Sequence, residues 1–312
     1  MSQTTADLVS AVRAQLDETN TATVKDDGDI YPSLNRAQDY AANVLARHYP
    51  EPLLTSLDVP TVAGQATYSI PEDCYEDRLL KVELENAGRW RELDQITYRE
   101  LSDYDIPESG TTPSFYAIVG RNYRLVPKPT RAWPLRIWYL RTPDKLIPSQ
   151  GRIVLANVVS NYVVLDAPGT DMNTSTHSYV NIVDGSSGLI KGTLQIQSIV
   201  GSRITFRSAP LRLLVQGRTI LTALTDEMVD TDDYLALVEG TCVPQALGGS
   251  VTNFIIQYAV NEITRKLGGE TIPEDKLLGD LETQLQKAGT GRQSTLRVAK
   301  RAGSWRFLAR WM

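Results

Sequence analysis

The residues on which most enzyme chemistry depends are scarce in this sequence. Among 312 residues there are two His and two Cys. Cys74 and Cys242 are too few for a disulfide scaffold and lack metal-ligand spacing, which fits a reducing compartment. His48 closes the apolar stripe of a predicted helix just before Pro50, and His177 falls in a polar loop. Neither has a Cys, His or carboxylate at ligand spacing. No apolar run approaches the roughly 18 residues of a membrane span. Residues 1–19 carry acids and glutamines where a signal peptide needs basic and then apolar residues, so neither export by that route nor a membrane partner is expected.

Sites for small ligands are equally thin. Gly248-Gly249-Ser250 precedes a predicted helix, the right place for an anion, but lacks the lysine and the preceding strand of a phosphate loop. Lys25-Asp26-Asp27-Gly28-Asp29 has the look of a calcium loop without its bidentate Glu, and Asp166 and Asp171 match no such loop. No triad or carboxylate pair stands out. The chain therefore reads as a non-enzyme, with no catalytic, cofactor-binding or metal-binding residue assigned and no cofactor expected.

Charge is present but unevenly spread. The net charge is −5, yet Lys287–Met312 holds seven basic residues and no acid, leaving 25 basic and 37 acidic residues, a net of −12, in residues 1–286. An acidic body carries a basic tail.

The pattern of apolar residues gives an α+β chain. Leu8, Val12 and Leu16 predict a first helix; Leu34, Ala37, Ala41, Val44, Leu45 and His48 form the stripe of a second, started by Pro32 and stopped at Pro50. Short Val-, Leu-, Tyr- and Ile-rich runs follow at Leu54–Pro60, Ala66–Ile70, Arg78–Glu85, Trp90–Leu93, Ser114–Val119, Tyr123–Pro127 and Leu135–Leu140, with a short helix near Thr97–Tyr104. Their links are too short for helical crossovers, so an antiparallel β-meander is expected. Residues 147–225 read as an inserted all-β module, with strands at Arg152–Val158, Tyr162–Leu165, Tyr179–Val183, Gly192–Ile199, Arg203–Phe206 and Thr219–Leu224 and an exposed loop at Ala167–Ser178. Helical period is expected again at Asp232–Glu239. Ser250 should cap a strong helix with the stripe Ile256, Ala259, Val260, Ile263 and Leu267, and a last helix should bury Leu278, Leu281 and Leu285. The expected domains are 1–146 (first part of the core), 147–225 (inserted β module), 226–290 (second part of the core) and 291–312 (extended C-terminal arm). Helices from both chain ends should pack as one bundle from which the β module projects.

The tail interleaves Arg297, Lys300, Arg301, Arg306 and Arg310 with Leu296, Trp305, Phe307, Leu308 and Trp311. Three uses compete. A solvated tail would be poor in Trp and Phe; basic residues with stacking aromatics can bind nucleic acid; Trp and Arg dominate protein interfaces. Docking onto a protein partner fits best.

The order of pieces adds a resemblance. Leu34-Asn35-Arg36-Ala37-Gln38 leads to Val59-Pro60-Thr61-Val62-Ala63-Gly64-Gln65-Ala66-Thr67-Tyr68-Ser69-Ile70-Pro71, then to Arg78–Leu84, Trp90–Leu93, Gly110–Ile118, Tyr123–Pro129 and Leu135–Leu146. This order, over residues 1–146 and 226–290, resembles the head-to-tail adaptor (connector) proteins of tailed bacteriophages, especially short-tailed ones. The resemblance implies a virion protein assembled in the host cytoplasm as a homo-oligomer ring, commonly of twelve subunits, below the portal protein. It also implies a channel for the genomic double-stranded DNA and a C-terminal arm that clasps the portal. Arg297, Lys300, Arg301, Trp305, Arg306, Phe307, Leu308, Arg310 and Trp311 occupy that arm. The 147–225 module departs from the pattern and is expected to attach a tail nozzle, tail fibre or tailspike. An acidic body suits a channel, since carboxylates facing the lumen do not hold phosphates. Other readings are a tail-associated binding module, a cell-wall hydrolase using the inserted module, and a DNA-binding protein acting through its tail.

Overall fold

A computed structural model describes residues 4–17, 23–103, 112–169, 172, 179–207, 214–215, 218–221, 224–225, 228–238, 240–244, 249–269, 271–273 and 275–284. In chain order these contain α1 (Thr5–Leu16), a π-turn (Asp26–Ile30), α2 (Tyr31–His48), β1 (Leu54–Pro60), β2 (Thr67–Ser69), β3 (Cys74–Asn86), β4 (Arg89–Glu92), β5 (Asp94–Gln95) and α3 (Tyr98–Asp103). Then come β6 (Phe115–Val119), β7 (Asn122–Val126), β8 (Pro134–Arg141), β9 (Ser149–Asn157), β10 (Tyr162–Leu165), β11 (Tyr179–Val183), β12 (Ile190–Val200) and β13 (Arg203–Phe206). The series ends with β14 (Leu214–Val215), β15 (Arg218–Leu221), β16 (Tyr234–Leu237), α4 (Gly249–Lys266) and α5 (275–284). The chain divides into two compact units, one of Leu53–Thr142 and the other of Met1–Pro52 with Pro143–Met312. The mixed α+β class, with helices from both ends and antiparallel sheets between, is as the sequence predicts.

The Leu53–Thr142 unit is a sandwich of two four-stranded sheets, ordered β1-β8-β3-β4 and β2-β7-β6-β5. Both contribute to one core, with Val82, Leu84, Leu135 and Ile137 from the first and Tyr116, Tyr123 and Leu125 from the second. Strand alternation places these residues inward. The β3–β4 hairpin turns through Ala87 (φ 52°) and Gly88 (φ 76°). Two left-handed residues at a two-residue turn match the twist of the strands they join. One pair departs from the antiparallel expectation: β5 runs parallel to β6, because α3 lies between them and carries the chain back.

The other unit joins helices to a barrel. α1 opens with a capping box, Thr4 receiving the Asp7 N–H and Asp7 receiving the Thr4 N–H. It buries Leu8, Val9 and Val12. α2 buries Leu34, Ala37, Ala41, Val44 and Leu45, the expected stripe without His48, which is exposed at the helix end. α1 and α2 both pack on α4. Arg36 of α2 pairs with Glu262 of α4, its Nε 3.0 Å from Oε2, and the Tyr40 and Tyr258 rings lie 5.2 Å apart. Helices from opposite chain ends therefore form one bundle. α4 starts at Gly249, so Ser250 lies inside the helix, not at its cap. Its buried arc is wider than predicted, taking in Val251, Phe254, Ile255 and Tyr258, while Leu267 is exposed. In α5 the buried residues are Leu277 and Leu281; Leu285 lies outside the described residues.

The inserted strands close on themselves. Pairing runs β11-β16-β9-β10-β13-β12, and β12 pairs again with β11, so six strands form a ring; β15 and β14 attach beyond β12. One fully buried residue from each strand (Ile153, Val163, Val180, Leu194, Ile204, Leu235) meets in a single core. β16 corrects the expected helical turn at Asp232–Glu239. Leu235 faces this core and Ala236 the opposite one, with Val183, Cys242 and Val243. A strand covered on both faces reads as an unbroken apolar run, which has no strand-like alternation. The ring thus runs on to Leu237, past residue 225.

A neck ties the barrel to the bundle. Leu146 and Thr241 form a parallel bridge, with the Ile147 N–H donating to the Thr241 carbonyl (2.9 Å) and the Thr241 N–H to that of Lys145 (2.8 Å). Asn35 of α2 receives the Leu146 N–H (2.7 Å) and donates to its carbonyl (3.0 Å). Gln38 donates to the Asp144 carbonyl at 2.7 Å. The first turn of α1 also joins, Thr5 donating its N–H to the Cys242 carbonyl (2.9 Å) and its hydroxyl to that of Ile147 (3.0 Å).

Candidate functional site

The side chains with reactive chemistry are placed by structure-forming needs. Cys74 and Cys242 are buried. Burial pushes both thiols up to about 12, for Cys74 with Asp77 and Asp73 adding to it. A thiol held protonated is neither nucleophile nor metal ligand. His48 stands with Nε2 3.9 Å from Glu282 of α5, between two helices; His177 lies outside the described residues. The acids resembling a calcium loop are engaged otherwise. Asp26 takes the Arg13 Nε at 3.0 Å, and Asp29 receives the Lys25 N–H at 3.0 Å and lies 3.8 Å from Lys266. Among the described residues no group of three or more His, Cys, Asp and Glu is placed to hold a metal, and no helix is long and apolar enough to cross a membrane.

Two charged clusters escaped the sequence reading. On the barrel, the Lys191 ammonium sits between Asp230 (2.7 Å), Asp233 (2.9 Å) and Asp184 (3.2 Å). Burial opposes charge on Lys191, but the three aspartates outweigh it and raise its pKa. Burial would likewise raise Asp184; hydrogen bonds from Ser186, Ser187 and Lys191 overcome that and hold it well below the usual carboxylate range. The cluster clamps the β11–β12 turn to the turn before β16, elements some forty residues apart, and no local spacing announces it.

On the outer face of the sandwich, Arg136 of β8 forks onto Asp58 of β1 (2.7 and 2.8 Å) and lies over the Trp90 ring of β4 at 4.2 Å. Glu83 of β3 receives Trp138 Nε1 at 2.7 Å and Lys81 at 2.5 Å. Strand alternation carried this signal, since Asp58, Arg136, Glu83 and Glu92 share one register row.

An open cleft of about 1050 Å³ lies where the first turn of α1 meets the barrel. Its walls carry Asp7, Asp166 and Asp232, with Arg152 bridging Asp166 (3.5 Å) and Asp232 (3.4 Å) and Tyr234 beside them. Asp7 caps α1, and Asp166 and Asp232 both face Arg152, so each of these carboxylates already has a partner. Arg297, Lys300, Arg301, Trp305, Arg306, Phe307, Leu308, Arg310 and Trp311 all lie outside the described residues.

Residues 3–172 match the family described as SU10 adaptor protein. The match takes in the first two helices, the whole sandwich and the first barrel strands, more than half of the chain. No curated protein matches the chain. The chain belongs to the SU10 adaptor family and is a phage adaptor, a structural virion component.

Proposed function

We propose that this member of the SU10 adaptor family is the head-to-tail adaptor of a short-tailed phage, assembling as a ring of twelve copies below the portal and extending the channel through which DNA leaves. The observation that carries the reading is the family match over the part of the chain that builds α1, α2 and the sandwich. The union of α2 with α4, across more than two hundred residues, supports it, since it makes one bundle from both chain ends, the part the adaptor reading needs. In this reading Trp305 and Trp311 are anchors and Arg297, Lys300, Arg301, Arg306 and Arg310 supply charge around them. The chain performs no catalysis in this role.

The test is mass measurement of the chain alone and mixed with its portal, full-length against a chain ending at Gly289. The full-length chain should join a portal complex and the shortened one should not. Equal binding by both would remove the arm from the proposal.

The barrel motivates a second reading alongside the first. A closed ring of strands with its own core, held at a neck, is suited to present a surface for a tail fibre, tailspike or nozzle. Its removal should then cost attachment and spare ring assembly.

A further inference from the structure

Among the described residues the fold protects its strand edges, with β1 the exception. Six barrel strands have none, and β2, β4, β5 and β14, which end the other sheets, are two to four residues long. β1 is seven residues long, ends its sheet, and pairs with β8 in unbroken register. Edges are normally blunted by Lys, by Pro within the strand, by a bulge or by shortness. β1 has no Lys and no bulge, Pro60 is its last residue, and its one charge, Asp58, is held by Arg136 of its own sheet. Leu54 and Leu57 are 42% and 41% exposed.

We propose that β1 docks on β1 of a second copy of this chain, the two strands pairing antiparallel about a twofold axis at Leu57. The strand is self-complementary in that register. Leu57 meets its own copy, Thr55 meets Val59, Ser56 meets Asp58, and Leu54 meets Pro60. Thr55, Leu57 and Val59 stand on the face whose β8 partners Tyr139, Ile137 and Leu135 are buried, so the pair continues the sandwich core from one chain into the next. On the other face a serine hydroxyl meets a carboxylate, donor against acceptor. The alternative neighbour, β4 of another copy, fits less well: Arg89 and Arg91 lie on the core-side face of the sheet and would oppose Leu57. Two seven-residue strands cover less than the roughly 800 Å² a side of a standard stable complex, so the dimer is reversible and concentration-dependent. A twofold contact cannot propagate around a ring, so the dimer belongs to the free chain before assembly and stands independently of the ring reading.

The test uses the full chain. Directly opposite residues of antiparallel strands have Cα atoms about 4.5–5.5 Å apart, within disulfide reach. Under mild oxidation Leu57→Cys should give a covalent dimer on a non-reducing gel. Leu80→Cys, similarly exposed but on β3, should not. Buried Cys74 and Cys242 do not compete. Sedimentation equilibrium of the native chain should show monomer and dimer exchanging. Leu57→Lys, and Leu54→Lys on the opposite face, should each be monomeric while retaining the native circular dichroism spectrum. A native chain that stays monomeric at its highest soluble concentration, cross-linking at position 57 no faster than at 80, or dimers unaffected by both lysines would overturn the pairing. Ring formation with the portal, scored separately by mass, should survive both lysine variants. Rings lost while dimers persist would assign β1 to the ring and likewise overturn it.

Discussion

Lys191 shows how one side chain can set the pH range of an element. Asp184 has a depressed folded-state pKa, so its contribution to stability is complete above its ordinary value of 3.8 and is lost as pH falls through the depressed one. Lys191 has a raised pKa, so its contribution is complete below 10.5 and lost as pH rises through the raised value. Both act in full between about pH 4 and 10. Lys191→Met should therefore cost about 2 kcal/mol at pH 7, where three carboxylates lose their common partner. The gap to the native chain should narrow as pH falls from the ordinary Asp184 value of 3.8 toward its depressed one. Urea unfolding of both chains at pH 7 and pH 3 checks this, and an equal gap at both would refute the electrostatic account. None of this was legible beforehand: Lys191, Asp184 and Asp233 are ordinary charged residues until the barrel closes. Asn35 is similar, since its role as a clamp on Leu146 depends on a partner 111 residues away.

At the scale of elements the sequence was informative wherever one face of an element meets solvent. The alternation of β1, β6, β7, β8, β10 and β13 located them to within a residue or two, and the stripe Leu34–Leu45 located α2. Reading failed at β16, where both faces are covered and periodicity vanishes. It also missed how α4 would be surrounded, because a helix packed by two others buries more than one stripe. β16 closes the strand ring, so its central side chain should matter out of proportion to its four residues. Leu235→Ala should destabilise the unit by about 2–5 kcal/mol, the cost of a large-to-small change in a filled core. The same change at Leu155, 49% exposed on β9, should cost under about 1 kcal/mol. Thermal denaturation compares the two, and similar losses would mean that β16 does not seal the barrel.

Taken as a whole, the chain was legible in its class and its order of pieces, and through these in its resemblance to phage adaptors. It was not legible in its closure, because a ring of strands depends on the pairing of β11 with β12 and β16, which no local signal encodes. That closure also decides how the barrel can be removed. A cut at residue 224 would strand β16 without β9 and β11, so the deletion must run from 148 to 240, bridged by a Gly/Ser linker long enough to turn back between parallel ends. The shortened chain should fold with its helical circular dichroism intact, enter the portal complex and fail to recruit tail components. Loss of the portal complex would show instead that the barrel is needed for assembly.

The neck has a consequence for how such a chain can change over generations. Because Leu146 and Thr241 are already neighbours, the bundle sees the whole barrel as a loop whose ends meet. Closing a flexible loop of roughly 90 residues costs only about 2 kcal/mol more in chain entropy than closing one of a dozen, since the cost grows with the logarithm of length. A lineage could therefore lose, lengthen or exchange everything between those two residues at small expense to the helices, whose own packing stays as it was.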